Sequence, residues 1–331
     1  MKKVLTFGEL LIRLQTSTPA FVRQEGMTDN ISAFAGGSEA NVSVALGHLN
    51  IPNAYFTAIP QNAIAKEIVA VLEGNNVDTS KIKWSGDRIG MYILLSANGL
   101  TSGDVVYDRK YSSFSQLKAD DIDWDFLFED CSWFHWTAIT PALSEDMAQF
   151  MKAALAEADK RGLTISVDLN YRSKLWQYGK SPLEVMPELV QYCDVVMGNI
   201  WAENKMLGTT IDDTLDRNTT KEVYFEASKN TAAEIFAKFP KCKHVSNTFR
   251  FMDNAKHNLF YGVYHTPEGN YASETFETFN VVDRIGSGDA FMAGLICGIY
   301  KNYQPQEVID TATQTGFQKL FVQGDFTNMN L

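Results

Sequence analysis

The sequence predicts an α/β protein built on an open, mostly parallel β-sheet with helices on both faces. Two observations support this prediction. From about residue 120 onward, short apolar runs alternate with segments of helical length, which is typical of parallel strands joined by crossover helices. In contrast, residues 11–34 and 89–111 have strand-like patterns without helices between them. We therefore expect a second, smaller sheet beside the main one.

The N-terminal part of the chain already shows both patterns. Its expected elements are a strand at 2–7, short strands within 11–34, a helix at 42–49, a strand at 55–59 and a helix at 63–73. Farther on, residues 91–95 and 104–108 flank Asn98-Gly99, a dipeptide typical of two-residue hairpin turns. We expect this hairpin to join the small sheet as a lid formed by about residues 11–35 and 88–113.

The C-terminal two thirds carry the main sheet. The expected elements are strands at 133–136, 163–168, 194–197 and 242–246, helices at 144–161, 183–191 and 221–239, an antiparallel pair at 259–264 and 271–279, a buried helix from Ala290, and a helix at 306–321. We see no repeat or interdomain linker, so residues 1–331 are expected to form a single domain.

Composition excludes several classes of protein. A hydrophobic content of 45% is enough for a large core. The formal charge of −11 argues against a nucleic-acid-binding protein, which normally has a basic surface. No apolar run approaches the ~20 residues of a membrane span, and no signal-peptide core follows Met1. The four cysteines are scattered, which indicates neither a zinc site nor a disulfide framework. We expect a cytoplasmic protein that does not bind membranes.

Polar residues follow several of the predicted strands. In parallel sheets, ligands bind at the carboxyl ends of the strands. Five polar groups are expected at that edge: residues 36–41, 168–172, 199–203, 246–250 and 286–289.

The turn Gly286-Ser287-Gly288-Asp289 precedes the buried helix and allows two interpretations. Asp289 can simply begin the helix, where the helix dipole stabilises a negative charge. Alternatively, it is a general base beside an anion hole, because the glycines let a ligand approach backbone N–H groups at a helix N-terminus.

The other groups are equally open to two interpretations. Arg172 is either a surface residue or a carboxylate or phosphate ligand. Asn199 and Glu203 are either a helix N-cap with an exposed glutamate or a water-mediated Mg²⁺ site. Tyr107 and Arg109 lie two apart on a predicted strand and so share a face. Together with Tyr92 they form either a solvated lid face or a clamp for a small acid.

The motifs resemble those of the ribokinase-like carbohydrate kinases, also called the PfkB family, over essentially the full length. The resemblance lies in the glycine stretch Gly36-Gly37 with Asn41, in Asn199-x-x-x-Glu203, and in residues 282–291. Within the family, residues 168–172 and the pair Tyr107 and Arg109 look most like 2-keto-3-deoxygluconate kinases. The resemblance implies a three-layer sandwich with a small β-sheet lid.

It also implies ATP- and Mg²⁺-dependent phosphorylation of 2-keto-3-deoxygluconate to 2-keto-3-deoxy-6-phosphogluconate. The implied base is Asp289, with Gly286, Ser287 and Gly288 as the anion hole and Glu203 reaching the metal through water. The residues implied for the sugar acid are Gly37, Asn41, Tyr92, Tyr107, Arg109 and Arg172. Those implied for the nucleotide are Asn170, Asn199, Thr248, Arg250, Gly286 and Gly288. Members of the family commonly pair through their lids, so a homodimer is expected.

Three other functions remain open at this point. A fructokinase or other neutral-sugar kinase would share the fold and the base. A catalytically silent sensor of sugar acids or nucleotides would share the fold alone, although Asp289 and Glu203 argue against it. A dehydrogenase is disfavoured because no G-x-G-x-x-G motif follows the first strand.

Overall fold

The fold is seen in a computed structural model that describes residues 2–17, 21–22, 31–95 and 104–328. Its strands are, in chain order, β1 (Lys3–Phe7), β2 (Leu11–Thr16), β3 (Ile31–Gly36), β4 (Asn53–Phe56), β5 (Ala58–Ile59), β6 (Lys83–Trp84), β7 (Gly90–Leu95), β8 (Asp104–Asp108), β9 (Cys131–Thr137), β10 (Thr164–Asp168), β11 (Val195–Gly198), β12 (His244–Phe251), β13 (Asn258–Thr266), β14 (Gly269–Ala272) and β15 (Phe276–Thr278).

The helices alternate with these strands through most of the chain. They are α1 (Ser38–His48), α2 (Ala63–Gly74), α3 (Trp124–Phe128), α4 (Glu145–Lys160), α5 (Pro182–Val190), α6 (Ile200–Leu207), α7 (Lys221–Lys238), α8 (Ser287–Tyr300) and α9 (Pro305–Gln318). None of the helices in the described residues is long and apolar enough to cross a membrane.

The main sheet has the order β14-β13-β12-β11-β10-β9-β1-β4, with β15 also paired to β13. The strands from β4 to β12 run parallel, and β13 turns back antiparallel to β12. Successive side chains of one strand enter different cores. Leu5 packs with Phe134 and helix α4, whereas Val4 packs with Trp133 and helix α8. Helices therefore cover both faces, which confirms the predicted mostly parallel α/β sandwich.

A second sheet has the order β3-β2-β7-β8. Strands β2 and β7 are parallel, and the two outer pairs are antiparallel. The prediction that the two strand-rich segments form one small sheet is thus confirmed. The turn predicted at Asn98-Gly99 lies outside the described residues.

Several predicted elements have other bounds in the structure. Helix α1 begins at Ser38 rather than Val42, because polar side chains occupy its first turn and the apolar run starts later. Strand β12 continues to Phe251, since Phe249 packs into a core with Tyr224 and Tyr261. The strands predicted at 55–59 and 271–279 are each two short strands, β4 with β5 and β14 with β15.

Candidate active site

Asp289 lies in the first turn of α8 with its side chain directed at α1. Its Oδ1 accepts a hydrogen bond from Ser38 Oγ at 2.6 Å, and its Oδ2 accepts one from Asn41 Nδ2 at 2.6 Å. The residue is only 9% exposed. Both carboxylate oxygens are therefore held in place by donors from a different helix.

Helices α1 and α8 each begin at a glycine. Gly37 is the N-cap of α1 with φ 133°, and a Cβ on it would lie 2.4 Å from the Glu9 carbonyl oxygen. Gly286 is the N-cap of α8 with φ 80°. These are conformations that side-chain-bearing residues rarely adopt. The two glycines let α1 and α8 begin side by side, which brings Ser38 and Asn41 to Asp289.

Opposing effects act on the acidity of Asp289. Burial raises the pKa of the carboxyl group, because a charge loses hydration inside the protein. The hydrogen bonds from Asn41 and Ser38, and the positive charges of Arg172 and Lys319, oppose that increase. The net pKa is raised. A base whose pKa is shifted toward neutrality accepts a proton more readily than an ordinary aspartate.

A second buried carboxyl group stands at the end of β10. Burial and the nearby charge of Asp289 raise the pKa of Asp168 to about 7. Its Oδ1 accepts a hydrogen bond from the Asn170 backbone N–H at 2.9 Å. The Asn170 side chain in turn donates to Ser38 Oγ at 3.0 Å. Asn170, predicted as a nucleotide ligand, thus donates a hydrogen bond to Ser38, which itself donates to Asp289.

The predicted anion hole is open on one side. Among the described residues, no atom beyond its chain neighbours and its own helix lies within 4 Å of the position that a Cβ of Gly288 would take. The first N–H groups of a helix have no partner inside the helix and can bind an anion. The Ser287 N–H, however, already donates to the Arg284 carbonyl at 3.3 Å. Its hydroxyl accepts from Arg250 Nη1 at 3.0 Å.

Three arginines add positive charge around this turn. Loss of hydration, together with the like charges of Arg284 and Arg172, lowers the pKa of Arg250 to about 10, although part of its side chain is exposed. Arg284 donates to the carbonyls of Asn254 and His257 at 3.1 and 2.7 Å. In the part of the chain that the structure describes, no ion pair joins any of the three to a carboxylate. A bound anion would relieve their mutual repulsion.

Arg109 is not placed as predicted. Strand β8 ends at Asp108, so Arg109 lies beyond it. Its Nε donates to Glu9 Oε2 at 2.6 Å, and its Nη2 lies at the same distance from that oxygen. Both side chains are buried. The guanidinium is thus paired with Glu9, and Arg172 remains the exposed arginine near Asp289.

Tyr92 and Tyr107 pair across β7 and β8 with their ring centroids 6.3 Å apart. The Tyr92 hydroxyl donates to Asp325 Oδ1 at 3.0 Å. Asp325 Oδ2 accepts from Arg13 Nε at 2.6 Å, and both residues of that ion pair are buried. The small sheet is therefore attached to the end of the chain beside the site.

Comparison with known proteins places this geometry in a family. A sequence profile described as pfkB family carbohydrate kinase matches residues 1–329. The chain belongs to the pfkB family of carbohydrate kinases. The predicted resemblance is confirmed.

Individual relatives are similar over nearly the whole chain. A 2-dehydro-3-deoxygalactonokinase of Haloferax volcanii is 27% identical over 98% of this chain and 92% of its own. A 2-dehydro-3-deoxygluconokinase of Bacillus subtilis is 24% identical over 98% and 91%. The crystal structure of the 2-dehydro-3-deoxygluconokinase of Thermotoga maritima superimposes with a TM-score of 0.88 at 30% identity, covering 99% of this chain and 97% of that one. This pfkB protein is therefore a sugar kinase with the ribokinase-like fold.

The two residues of the N-x-x-x-E motif of the kinase have different environments. The Asn199 side chain accepts from the Ala202 N–H at 2.8 Å and caps α6, as the simpler interpretation predicted. Glu203 is buried rather than exposed, and its Oε1 accepts from Asn247 Nδ2 at 2.6 Å. Burial raises the pKa of Glu203 to about 7. Its Oε2 has no partner in the described residues, which leaves one oxygen available to an ordered water.

Two residues that the resemblance implies for the nucleotide lie within a strand. Thr248 and Arg250 belong to β12, where they pair with Gly262 and Phe260 of β13. The expectation that residues 246–250 form a loop at the strand end is wrong, because alternation of buried and outward side chains continues through them. Arg250 still reaches the anion hole, since its outward side chain meets Ser287.

The sequence prediction missed several residues of the pfkB site. Ser38 lies inside the glycine stretch but was not predicted to contact the base. Glu9, Arg13 and Asp325 were missed altogether, although a charged residue within the alternating run at Arg13 was a signal. Arg13 and Asp325 are 312 residues apart, and such a pair has no local sequence pattern.

Proposed function

We propose that this kinase transfers a phosphoryl group from ATP to 2-keto-3-deoxygluconate, giving 2-keto-3-deoxy-6-phosphogluconate, with Asp289 as the general base. The observation that carries the proposal is the buried Asp289 carboxylate, held by Ser38 and Asn41 at the N-terminus of α8. Relatives named for 2-dehydro-3-deoxy sugar acids support the substrate class.

The base and the anion hole divide the chemistry between them. The attacking hydroxyl replaces Ser38 or Asn41 as a hydrogen-bond donor to Asp289. Asp289 then accepts the proton of that hydroxyl. Backbone N–H groups at Gly286 and Gly288 then face the phosphates, where the helix dipole favours the developing charge, and the Ser287 N–H joins them by leaving the Arg284 carbonyl. Positioning and charge neutralisation suffice, because phosphoryl transfer needs little covalent help from the protein.

The residues proposed for MgATP surround this turn. Arg250 approaches the phosphates beside Ser287, Asn170 and Asn199 follow the ends of β10 and β11, and Thr248 lies within β12. Bound Mg²⁺ would neutralise phosphate charge. Within the described residues no cluster of His, Cys, Asp and Glu could hold a metal by itself. This fits an ion held mainly by phosphates and water, with Glu203 Oε2 as a partner for one such water.

The sugar acid is proposed to lie between Asp289 and the small sheet. Gly37 and Asn41 would contact it from the start of α1, and Tyr92 and Tyr107 would contact it from the small sheet. Arg172 is exposed and near Asp289, so it is the first candidate for the substrate carboxylate. Arg109 is paired with Glu9. It could bind the substrate carboxylate only after leaving Glu9.

The small sheet is proposed to act as the lid of a single-domain kinase and as a dimer interface. One face carries Arg13, Tyr92 and Tyr107 toward the site. Neighbouring strands place four apolar residues in register on the other face: Ala33, Leu14, Ile93 and Val106. None of the four is fully buried. An uncovered apolar stripe across a whole sheet favours association with a second copy.

The decisive experiment measures ADP release from MgATP with a panel of acceptors. The panel is 2-keto-3-deoxygluconate, its galacto epimer, fructose, ribose and adenosine. We expect turnover with the sugar acids, and Arg172→Ala should raise KM for the acids by tenfold or more, about 1.4 kcal/mol, while leaving any weak activity on fructose unchanged. Turnover of fructose alone would replace the proposal with a fructokinase, and no turnover with any acceptor would contradict a kinase of this panel.

A further inference from the structure

Lys319 is a buried lysine in the turn that follows α9. Its exposed fraction is 0%. The Nζ donates to the carbonyl oxygens of Val322 at 3.0 Å and Gly324 at 2.8 Å. Taking an ammonium group out of water is costly unless it is hydrogen-bonded and has opposite charges nearby. A buried lysine that ends on backbone carbonyls therefore fixes the conformation of the turn around it.

The turn held by Lys319 forms the wall behind the anion hole. A Cβ on Gly286 would lie 2.3 Å from the Asp325 carbonyl oxygen and 3.3 Å from Lys319 Cε. The Gly324 N–H also donates to Asp283 Oδ2 at 3.1 Å. Leu320 accepts hydrogen bonds from the N–H groups of residues 282 and 283 at 2.8 and 3.2 Å. Residues 282–286 and residues 319–325 are thus joined by several hydrogen bonds, and Gly286 packs against residues 319–325.

Charges of both signs surround the ammonium group. Burial lowers the pKa of Lys319, and the carboxylates of Asp283 and Asp325 oppose that shift. Arg13, bound to Asp325, repels it, and Asp289 attracts it. The balance identifies Lys319 as part of a charged cluster around the anion hole, rather than as an apolar filler of the core.

We propose that Lys319 is a positioning residue for phosphoryl transfer, whose ammonium group holds residues 322–325 and thereby the turn Gly286–Asp289. It touches neither the sugar nor the nucleotide. This role rests on the kinase activity proposed above. A phosphate accepted at Gly286–Gly288 must meet amides that are already in place, because displacement by ~1 Å at such a site can cost about a hundredfold in rate.

The test compares three substitutions of Lys319 with a matched control. Lys319→Met keeps the bulk of the side chain but removes its hydrogen-bond donors and its charge. Lys319→Gln keeps a donor without the charge. Lys319→Arg keeps both the donors and the charge. The control is Lys238→Met, because Lys238 Nζ also donates to two carbonyls, those of Leu207 and Gly208 at 3.3 and 2.7 Å, at the end of α6. Backbone amide exchange is measured by mass spectrometry on the ligand-free proteins, and kcat and KM on the sugar acid.

We expect Lys319→Met to speed exchange within residues 282–290 by roughly tenfold, since local opening becomes easier, and to leave exchange in α4 unchanged. We expect kcat to fall by about a hundredfold, with KM for the sugar acid within about threefold. Lys319→Arg should restore part of both effects. Lys238→Met should change neither.

Two results would overturn the proposal. One is wild-type exchange at residues 282–290 in Lys319→Met, and the other is wild-type kcat in that variant when the unaltered chain turns over. If Lys319→Met does not fold, Lys319→Gln is judged by the same readouts, with smaller effects of the same sign expected. Absence of turnover in the unaltered chain contradicts the proposed function itself, and the exchange data then show separately whether Lys319 holds the turn.

Discussion

The carboxylate of Asp289 is buried beside two neutral donors and within reach of two positive charges. Its environment is compatible with both interpretations that the sequence left open. The residue begins α8, where the helix dipole favours a negative charge. It also faces Ser38 and Asn41, which hold it where a substrate hydroxyl can replace one of them.

Asp289→Asn should separate binding from catalysis. The amide keeps the size and most hydrogen bonds of the carboxylate but cannot accept the proton. We expect kcat to fall by roughly two to four decades, the usual range for loss of a general base, while the Kd values for sugar acid and ATP stay near those of the unaltered kinase. Steady-state kinetics and calorimetry check this. Asp253→Asn, at a carboxylate whose side chain is 54% exposed, is the control, and a fall in kcat below about tenfold would remove Asp289 from the role of base.

Glu203 should make stability depend on pH. Its pKa rises from 4.5 to about 7 in the folded chain, so the folded state holds this proton more tightly than the unfolded state. The resulting stability is complete below pH 4.5 and is lost as pH rises through 7. Glu203→Gln does not titrate, so its free energy of unfolding relative to the unaltered chain should increase by on the order of 2 kcal/mol between pH 5 and pH 8.

Urea unfolding at the two pH values measures that difference. Glu226→Gln, at an exposed carboxylate, is the control variant. The raised pKa values of Glu39 and Asp168 are common to all three proteins and cancel in the comparison. An equal difference at both pH values would mean that Glu203 is ionised throughout the range.

At the scale of elements, the site consists of helix starts and strand ends. α1 and α8 begin at glycines with positive φ, and β10 ends at Asp168. Each element contributes only one or two polar groups. Their convergence depends on the packing of α1 against α8 and on the sheet that supports both.

The glycines of the α8 turn should differ when each is changed to alanine. Gly286→Ala should destabilise the protein by about 1–3 kcal/mol, because its φ of 80° and the nearby Asp325 carbonyl oppose a side chain. Gly288→Ala adds a methyl group to open space in a helix, where alanine is favoured by up to about 1 kcal/mol.

Kinetics then tests whether the open space receives phosphate. In Gly288→Ala the melting temperature should be maintained or raised, yet KM for ATP should rise about tenfold or more, since the methyl group occupies the approach to the helix N–H groups. Unchanged KM for ATP in a folded Gly288→Ala protein would place the phosphates elsewhere.

At the scale of the whole molecule, the two faces of the small sheet are proposed to have different roles. Its inner face is tied to the body of the kinase by the ion pair between Arg13 and Asp325 and by the bond from Tyr92. Its outer face carries the apolar stripe. The same four strands are therefore proposed to roof the site and to contact a second protomer.

Val106→Lys should weaken the proposed dimer. Val106 is 46% exposed within the stripe, and an inserted ammonium would lose its hydration at an interface. Light scattering after size-exclusion chromatography should show a dimer for the unaltered chain and a larger monomer fraction for the variant. Val71→Lys, at an apolar residue of α2 that is 43% exposed, should remain dimeric. A monomeric unaltered chain would contradict the dimer.

Much of the fold could be predicted because its signals are local. Short runs rich in apolar residues, such as residues 4–7 and 165–168, are buried in the main sheet. Glycine turns at Gly37 and Gly286 mark helix starts because few other residues adopt those angles. The predicted boundaries differ from the structure where polar residues open a helix, as at Ser38, or where an outward arginine continues a strand, as at Arg250.

The sequence by itself determined the α/β architecture, the small second sheet and the family, and it supplied the proposal that Asp289 is the general base. Only the tertiary structure decided the partners of that carboxylate, the pairing of Arg109 with Glu9, the burial of Glu203 and the place of Lys319 behind Gly286. The physical reason is range. Periodicity and turn chemistry act between neighbours along the chain, whereas a buried charge is stabilised by whichever residues the fold brings within about 3 Å of it.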